Sequence, residues 1–287
     1  MDLSKIGNWK ISVLETGDFR LDGGAMMGSV PKVLWVETNP ADEKNRIDLA
    51  LRCLLLDDGE NIVLIESGIG DHNSKKFKEM FNIKQDDNAL SNTLSDSGYS
   101  IKDITHVILT HLHFDHAGGA VCKTDSGDFR PAFPNAKYYI SKSNWEAALN
   151  PSPKDRASYL KHNFLCLEEC GVLKIIPDNT KILDGIETYV VNGHTHGQQL
   201  IKVKGNGETL VFCSDLIPLK SHIKIPWIMG YDLNAELTLK EKELFLSEAA
   251  NKGWILFFYH DPASVAVKIS KTDKYFEVID ECVRRRN

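Results

Sequence analysis

The sequence predicts a mixed α/β fold in which stacked β-sheets are covered by helices. Short strand-like segments occur along the whole chain, and several follow one another in adjacent pairs. Segments with helical spacing of apolar residues lie between them. No stretch rich in proline, glycine or serine divides the chain, so we expect a single domain over residues 1–287. Periodicity alone leaves a doubly wound sheet open as an alternative.

The first half alternates strand-like and helix-like segments. Apolar or alternating runs bounded by turn residues such as Asp57-Asp58-Gly59 predict strands at residues 11–15, 49–56 and 61–66. Helical spacing of apolar residues follows at 74–82 and 90–97. A short β-branched run then predicts a buried strand at 106–110.

The second half continues this alternation. Helical spacing occurs at residues 141–149, 156–169 and 239–251, and a closing helix is predicted around 275–285. Strands are predicted at residues 173–176, 188–191, 200–203, 209–213 and 254–258. The turn Gly205-Asn206-Gly207 joins two of these strands into a hairpin, since both asparagine and glycine accept the positive φ angles of a tight turn.

The charge balance argues against polyanionic partners. Lys and Arg number 34 against 40 Asp and Glu, which gives a formal charge of -6. No basic stripe is available to neutralise phosphates, so we expect neither nucleic acid nor a membrane surface as a partner. The single basic run, Arg284-Arg285-Arg286, predicts a solvated helix end.

Targeting and cysteine patterns predict a cytoplasmic protein. The first residues contain no apolar core of signal-peptide length, and no window approaches the roughly 20 apolar residues of a membrane span. The six cysteines include no CxxC pair, and a chain of this size folds without disulfide staples. We therefore expect reduced thiols.

One segment carries most of the chemical information: Thr110-His111-Leu112-His113-Phe114-Asp115-His116-Ala117-Gly118-Gly119. Three histidines and one aspartate within six residues, from only ten histidines in the chain, indicate a metal site rather than a polar loop. In an extended stretch, His111 and His113 point the same way and reach one metal. A turn at Phe114 directs Asp115 and His116 to a second metal.

Two metals need further ligands, and the downstream sequence offers them at strand ends. His194 follows the strand that ends at residue 191, Asp215 follows the hairpin, and His260 follows the last predicted strand. Loops at strand ends gather along one edge of a sheet, where functional residues collect. A lone histidine or aspartate at such a position would be a weak signal, but here three occur together.

This ordered set resembles the metallo-β-lactamase fold superfamily of binuclear metallohydrolases, whose signature is HxHxDH followed by a further His, an Asp and a last His. The resemblance covers about residues 62–260. It implies an αββα sandwich of two mixed β-sheets flanked by helices. It also implies that His111, His113 and His194 bind one metal, that Asp115, His116 and His260 bind the other, and that Asp215 bridges the two. His196 stands where many members have proline, and its role is open.

Details of the pattern narrow the activity. Flavodiiron-type members have Glu at the position of His113, so we do not expect redox chemistry. The zinc β-lactamases that use a cysteine ligand have that cysteine at the position of Asp215, so we do not expect antibiotic hydrolysis. The chain is most similar to bacterial N-acyl homoserine lactonases, including the ending Phe257-Phe258-Tyr259-His260-Asp261. It departs from them at Pro218, where those enzymes have a tyrosine expected to contact the substrate carbonyl. Tyr231, His222 and Tyr259 are the candidates for a replacement.

The resemblance and the residues together predict a hydrolase that opens a carboxylic ester or lactone, with an N-acyl homoserine lactone as the expected substrate. Two divalent metals, zinc first and manganese, iron or cobalt as alternatives, make a bridging hydroxide nucleophile available at neutral pH. We expect Asp115 to be both a ligand and the proton shuttle to the leaving alkoxide.

The segment after Asp215 predicts the substrate pocket, because it is apolar and adjoins the metal residues. Its candidate contacts are His222, Trp227 and Tyr231. The segment Gly24-Ala25-Met26-Met27-Gly28 and Trp35 are candidates for the opposite wall or for a homodimer contact. Alternatives are a phosphodiesterase or a glyoxalase II-like thioesterase, for which Lys220 and Lys224 are possible anion-binding groups, and a non-catalytic metal-binding protein.

Overall fold

The computed structural model describes residues 1–284 and contains two seven-stranded β-sheets, each with both parallel and antiparallel pairs. The first sheet uses strands from residues 5–176 and the second uses strands from residues 181–283. Helices flank both sheets, with α4 (Ala89–Asp96) against β2 (Trp9–Asp22) and α8 (Ala235–Lys252) against β15 (Ser264–Lys271). The predicted fold class, two mixed sheets with helices outside, is confirmed.

The first sheet has the order β1-β2-β3-β4-β5-β8-β9. Its first four strands are antiparallel, whereas β4, β5, β8 and β9 run parallel. Besides β2, its strands are β1 (Lys5–Ile6), β3 (Arg46–Asp57), β4 (Ile62–Ile65), β5 (His106–Ile108), β8 (Lys137–Ser141) and β9 (Leu173–Ile176). A separate hairpin consists of β6 (Val121–Lys123) and β7 (Phe129–Pro131).

The second sheet follows sequence order from β10 to β16, and only β13 and β14 pair in parallel. Besides β15, its strands are β10 (Lys181–Leu183), β11 (Ile186–Val191), β12 (Gln198–Gly205), β13 (Glu208–Phe212), β14 (Ile255–Phe257) and β16 (Phe276–Val283). The predicted hairpin joins β12 to β13, and its two turn residues, Asn206 and Gly207, have φ angles of 52° and 80°. These positive angles are those of a tight hairpin turn.

The remaining helices are short. They are α1 (Gly23–Met27), α2 (Lys32–Trp35), α3 (Lys75–Met80), α5 (Phe114–Ala117), α6 (Lys142–Leu149) and α7 (Leu165–Glu169). The long helix α8 begins after Asn234, whose side-chain oxygen accepts the backbone N–H of Leu237 at 3.0 Å. It ends at Gly253, which has a left-handed φ of 64°. Both ends are therefore satisfied by residue types suited to capping.

The core lies between the sheets. Leu54 and Ile65 of the first sheet and Phe212 and Phe257 of the second belong to one cluster of buried apolar side chains. Arg52 crosses this interface with no exposed surface: its Nη1 donates to the carbonyl oxygens of Phe258 at 3.0 Å and Ser264 at 3.1 Å.

The predicted closing helix over residues 275–285 is wrong. Residues 276–283 form β16, which pairs antiparallel with the edge of β15. Phenylalanine, valine and isoleucine are favoured in strands. Because the edge of β15 offers this segment a partner strand, pairing there overrides the helical spacing of its apolar residues. Arg284 is likewise not a solvated helix end, because it pairs with Asp18 and Glu15. The other two arginines of the basic run lie outside the described residues.

The predicted helix over residues 156–169 is also mostly wrong. Only a 3-10 turn, Lys161–Asn163, and α7 are helical there, and Phe164 between them has an extended φ of −143°. The preceding segment is held by side chains instead: Tyr159 Oη lies 2.7 Å from Thr195 Oγ1. Among the described residues, no helix is long and apolar enough to cross a bilayer.

Candidate metal centre

The loops that follow five strands meet at one edge of the two sheets. Because β4 and β5 are parallel, and β13 and β14 are parallel, the carboxyl ends of each pair lie side by side. The loop after β4 carries Glu66. The others, with the loop after β11, carry the side chains that sequence analysis selected: His111 to His116 after β5, His194 after β11, Asp215 after β13 and His260 after β14.

The backbone of the HxHxDH segment divides its side chains between two positions. The chain is extended up to His113, whose ψ is 156°, and then turns into the short helix α5. Extended residues two apart face the same way. His111 and His113 therefore share one direction, and the helical turn carries Asp115 and His116 to the other.

The first group of ligand atoms comes from His111, His113 and His194. Nε2 of His111 lies 3.0 Å from Nδ1 of His113, and Nε2 of His194 lies 3.3 Å from that same Nδ1. All three side chains are at most 7% exposed. Ligand atoms arranged tetrahedrally around a zinc ion at about 2.0–2.1 Å lie about 3.3 Å from one another. The spacing of these three nitrogens matches that geometry.

The second group comes from Asp115, His116 and His260. Nε2 of His116 and Nε2 of His260 are 3.3 Å apart. Oδ2 of Asp115 lies 3.6 Å from Nε2 of His260 and 3.9 Å from Nε2 of His116. These atoms also converge on one point at the spacing of a metal coordination shell.

Asp215 lies between the two groups and directs one oxygen to each. Its Oδ2 is 3.3 Å from Nε2 of His194 in the first group. Its Oδ1 is 3.4 Å from Nε2 of both His116 and His260 in the second group. A carboxylate with one oxygen in each group is the arrangement that a bridge between two cations requires.

The ring nitrogens that face away from the two groups make hydrogen bonds, and these bonds determine which nitrogen of each ring carries the lone pair. Nδ1 of His260 donates to the carbonyl oxygen of Ala50 at 3.0 Å, and Nδ1 of His194 donates to Asp232 at 2.9 Å. The inner Nε2 of each ring therefore carries a lone pair. Within the described residues, Oδ1 of Asp215 is buried without a hydrogen-bond partner. Imidazole lone pairs that point toward an unpartnered carboxylate oxygen form an arrangement in which cations can bind between them.

The electrostatics of the centre favour the ligand forms of His111, His113 and Asp215. Burial opposes protonation of His116 and His194, but the neighbouring carboxylates raise the pKa values of both, so a metal must displace a proton from these two rings. Burial and the neighbouring imidazoles hold the pKa values of His111 and His113 well below their usual range. Burial opposes ionisation of Asp215, but the imidazoles of His116 and His260 hold its pKa well below the usual range. Neutral imidazoles and an ionised carboxylate are the forms that bind metals.

The family is decided by a model described as the metallo-beta-lactamase superfamily, which matches residues 51–260 and so includes all seven side chains of the two groups and their bridge. The chain belongs to the metallo-beta-lactamase superfamily. As a member of it, the protein is an enzyme, a metal-dependent hydrolase.

Three relatives illustrate the similarity. An N-acyl homoserine lactonase of Bacillus cereus is 27% identical over 229 residues, which cover 76% of this chain and 83% of the lactonase. The crystal structure of a probable metal-dependent hydrolase from Staphylococcus aureus is 28% identical, covers 99% of both chains and has a TM-score of 0.90. The dizinc quorum-quenching lactonase AidC shares the fold, with a TM-score of 0.81 at 21% identity over 98% of this chain and 97% of its own.

Four polar residues lie next to the ligands, and two of them contact ligand rings. Oε1 of Glu66 lies 3.3 Å from Nδ1 of His116, and Oγ1 of Thr110 lies 2.9 Å from Nδ1 of His111. Ser67 instead donates to the backbone carbonyl of His116 at 2.8 Å. Thr195 bonds to Tyr159, as described above, and to Asp155, not to a ligand ring.

Sequence analysis missed Asp232 and Ser214. Asp232 is 3% exposed and bonds to His194, yet it lies one residue beyond Tyr231, the last pocket candidate, and a lone aspartate gives no signal. Ser214 precedes Asp215 in a left-handed conformation with a φ of 45°. Its Oγ lies 2.7 Å from Oγ1 of Thr110, which links the two loops. Unusual backbone angles of this kind collect at functional sites.

The candidate pocket residues differ in what they offer. His222 is buried, and its Nε2 donates to the carbonyl oxygen of Met26 at 2.9 Å. Trp227 is 7% exposed and packs in the core. Tyr231 is 37% exposed. The segment 24–28, predicted as the opposite wall, does contact this loop, since Gly230 donates its N–H to the carbonyl of Ala25 at 2.8 Å.

His196, whose role the sequence left open, has an exposed side chain. Only its backbone is used: its carbonyl oxygen accepts from Nδ2 of Asn144 at 2.8 Å. Asn144 in turn accepts the N–H of Leu112 at 3.0 Å, within the HxHxDH segment. The side chain of His196 therefore belongs to neither group, in contrast to His194 two residues earlier.

Proposed function

We propose that the protein is a dinuclear metal-dependent hydrolase that opens a carboxylic ester or lactone, and that its substrate is an N-acyl homoserine lactone. The observation that carries the dinuclear part is the position of Asp215, whose two oxygens each face one group of ligand atoms. We assign His111, His113 and His194 to one metal, and Asp115, His116 and His260 to the other.

Two divalent ions held by these residues, zinc by preference and manganese, iron or cobalt as alternatives, would supply Lewis acidity and a hydroxide nucleophile at neutral pH. The chain's own contribution is to hold the ligands and to move a proton. Oδ2 of Asp115 is at the edge of the second group, and its side chain is 9% exposed. Asp115 takes the proton released as the nucleophile attacks and returns it to the leaving alkoxide.

An apolar cluster beside the centre supports an acyl substrate. Phe114 lies between two ligand residues, and its ring centroid is 5.2 Å from that of Phe77 and 5.1 Å from that of Phe81. Met80, on the same helix α3 as Phe77, is 56% exposed. Aromatic and aliphatic walls bind acyl chains through the hydrophobic effect. The lactonase of Bacillus cereus provides the second line of support.

Of the three candidates to replace the tyrosine missing at Pro218, Tyr231 fits best. The hydroxyl of Tyr259 is buried and donates to the carbonyl of Asp115. The only N–H of neutral His222 donates to Met26, which leaves no donor. Tyr231 is partly exposed, and burial together with the charges of Asp22 and Asp115 raises its pKa to about 12. We assign it as the hydrogen-bond donor to the substrate carbonyl.

The chemistry of the pocket loop gives less support to an anionic substrate. Nζ of Lys220 pairs with Glu281 at 2.7 Å, and Nζ of Lys224 lies 4.2 Å from the ring centre of Trp227. Phosphodiester or thioester hydrolysis is therefore an outcome of the test rather than a second proposal. The homodimer, the cytoplasmic location, the single domain and the exclusion of nucleic acid and membrane partners stay predictions from the sequence.

The test combines elemental analysis with acid release from a panel of N-acyl homoserine lactones, measured with a pH indicator. We expect two metals per chain and ring opening that increases with acyl length. His194→Ala should lose one metal and activity, whereas the matched control His196→Ala should keep both. Two metals with turnover of phosphodiesters or thioesters only would overturn the lactone assignment, and two metals with no turnover would favour a non-catalytic role.

A further inference from the structure

The carboxylate of Asp232 joins a proposed metal ligand to the pocket loop. Its Oδ1 accepts from Nδ1 of His194 at 2.9 Å, and its Oδ2 accepts the backbone N–H of Met229 at 3.2 Å. The side chain is 1% exposed, so water does not compete for either bond. One buried group thus fixes both the ring of His194 and the loop two residues before Tyr231.

Two backbone hydrogen bonds extend this connection. The N–H of Leu233 donates to the carbonyl of His194 at 3.0 Å, and the N–H of Asn234 donates to the carbonyl of Gly193 at 2.9 Å. The pocket loop therefore runs alongside the His194 segment as far as the start of α8. The ring and backbone of His194 are therefore in direct hydrogen-bond contact with residues 232 and 233, and its neighbour Gly193 with residue 234.

The other end of the loop is anchored independently of the metal centre. Nζ of the fully buried Lys242, on α8, donates to the carbonyl oxygens of Lys224 at 2.9 Å, Ile225 at 3.1 Å and Trp227. The stretch between this anchor and Asp232 carries Tyr231. The position of Tyr231 is therefore determined by α8 on one side, by Asp232 on the other, and by the bond from the N–H of Gly230 to the carbonyl of Ala25.

We propose that Asp232 is a positioning residue that couples metal occupancy at His194 to the order of the loop carrying Tyr231. A metal on Nε2 of His194 fixes the ring, and the fixed ring holds Asp232, which holds Met229. By linkage, a loop ordered through Asp232 strengthens metal binding by the same factor. This inference rests on the proposed dinuclear site, and it makes an ordered substrate loop a consequence of metal loading.

Asp232→Asn removes the proposed coupling between the His194 ring and Met229 while it keeps the packing of the side chain. Asparagine has the same shape, but only one of its two terminal atoms accepts a hydrogen bond, so it satisfies His194 or Met229 and not both. Glu241→Gln is the matched control. Glu241 accepts the N–H groups of Asn192 at 2.8 Å and Gly193 at 2.9 Å, so it holds the backbone of the same segment without touching the ring.

The experiment measures hydrogen exchange at the amides of Met229, Leu233 and Asn234, with and without zinc, together with zinc affinity by competition against a chromophoric chelator. In the wild-type protein, zinc should slow exchange at all three amides. In Asp232→Asn that zinc dependence should disappear at Met229, and one of two zinc ions should bind about 10- to 100-fold more weakly. In Glu241→Gln both zinc ions and the zinc-dependent protection should remain.

Two outcomes would overturn the inference in different ways. Zinc-dependent protection of Met229 in Asp232→Asn equal to that of the wild type would mean that Asp232 is only a packing residue, with the dinuclear site intact. If His194→Ala binds as much zinc as the wild-type protein, the proposed site itself is refuted, and the coupling with it. A thermal unfolding curve for each variant identifies any loss of zinc binding or amide protection that reflects misfolding. Asp232→Ala repeats the test with neither the bond to His194 nor the bond to Met229.

Discussion

Glu66 and His116 form a buried pair in which Oε1 of the carboxylate lies 3.3 Å from Nδ1 of the imidazole. Neither side chain has exposed surface. The same Oε1 accepts the N–H of Thr110 at 3.0 Å. Glu66 has a left-handed φ of 65°, an uncommon angle for a residue with a side chain. This strained backbone angle occurs at the residue whose carboxylate faces the proposed metal ligand His116.

Glu66→Gln should weaken metal binding at the group that contains His116. The amide oxygen can still accept from Nδ1, but the negative charge that increases the basicity of the ring is lost. We expect about 10-fold weaker binding of one metal, measured by zinc titration. The exposed Glu60→Gln is the control. Unchanged affinity for both metals would contradict the role of Glu66.

Asp115→Asn tests the proton shuttle. An asparagine cannot take up and return a proton, so kcat for lactone opening should fall by about 100-fold or more. Metal content must be measured on the same sample, because Asp115 is also a proposed ligand. Full activity at full metal loading would exclude the shuttle. Asp103→Asn, at a surface turn where the carboxylate caps Ser100, should leave both unchanged.

Tyr231→Phe removes one hydroxyl and should lower kcat/KM for lactones by about 100-fold, the typical loss for one donor to a developing oxyanion. The exposed Tyr275→Phe is the matched control. Equal kcat/KM for wild-type and Tyr231→Phe enzyme would show that the substrate carbonyl is bound elsewhere.

The same tyrosine gives a pH prediction. Burial and the charges of Asp22 and Asp115 raise the pKa of Tyr231 from 10.0 to about 12, so its hydroxyl remains a donor throughout the neutral range. The ratio of wild-type to Tyr231→Phe activity should therefore stay constant from about pH 7 to pH 10. The raised pKa favours the folded state below pH 10.0, and this contribution is lost as the pH rises toward 12.

Lys242→Met tests the anchor of the pocket loop. Burial lowers the pKa of Lys242 from 10.5 to about 7, so the unfolded chain binds more protons than the folded one between these values. The free energy of unfolding in urea should therefore rise between pH 7 and pH 9, by on the order of 1 kcal/mol per pH unit. Lys242→Met should abolish this rise and increase KM. A rise that persists in Lys242→Met would assign it to other groups.

Many of the strands and the two directions of the HxHxDH side chains could be predicted from the sequence, because they leave local patterns, whereas β8 and β15 were not predicted. His111 and His113 alternate along an extended segment, and the hairpin turn needs two positive φ angles that Asn206 and Gly207 supply. The superfamily pattern then selected His194 over His196, and their different exposure in the structure agrees with that selection.

Features that depend on distant partners could not be predicted. Residues 276–283 have helical spacing, yet they form a strand because the edge of β15 was open. Asp232 acts through a contact with a residue 38 positions earlier, and nothing next to it in the chain marks that contact. The role suggested for His222 in substrate binding depended on solvent access, which packing against α1 removes.

The division of the chain into two consecutive sheets has a consequence for biosynthesis. Residues 5–176 supply His111, His113, Asp115 and His116, and residues 181–283 supply His194, Asp215 and His260. Each proposed metal site takes ligands from both parts, so neither part alone supplies three of the ligands assigned to either site. A chain emerging from the ribosome cannot complete the first site before residue 215 or the second site before residue 260. Metal binding at both proposed sites therefore requires about nine tenths of the chain, and a product that ends before residue 215 can complete neither site.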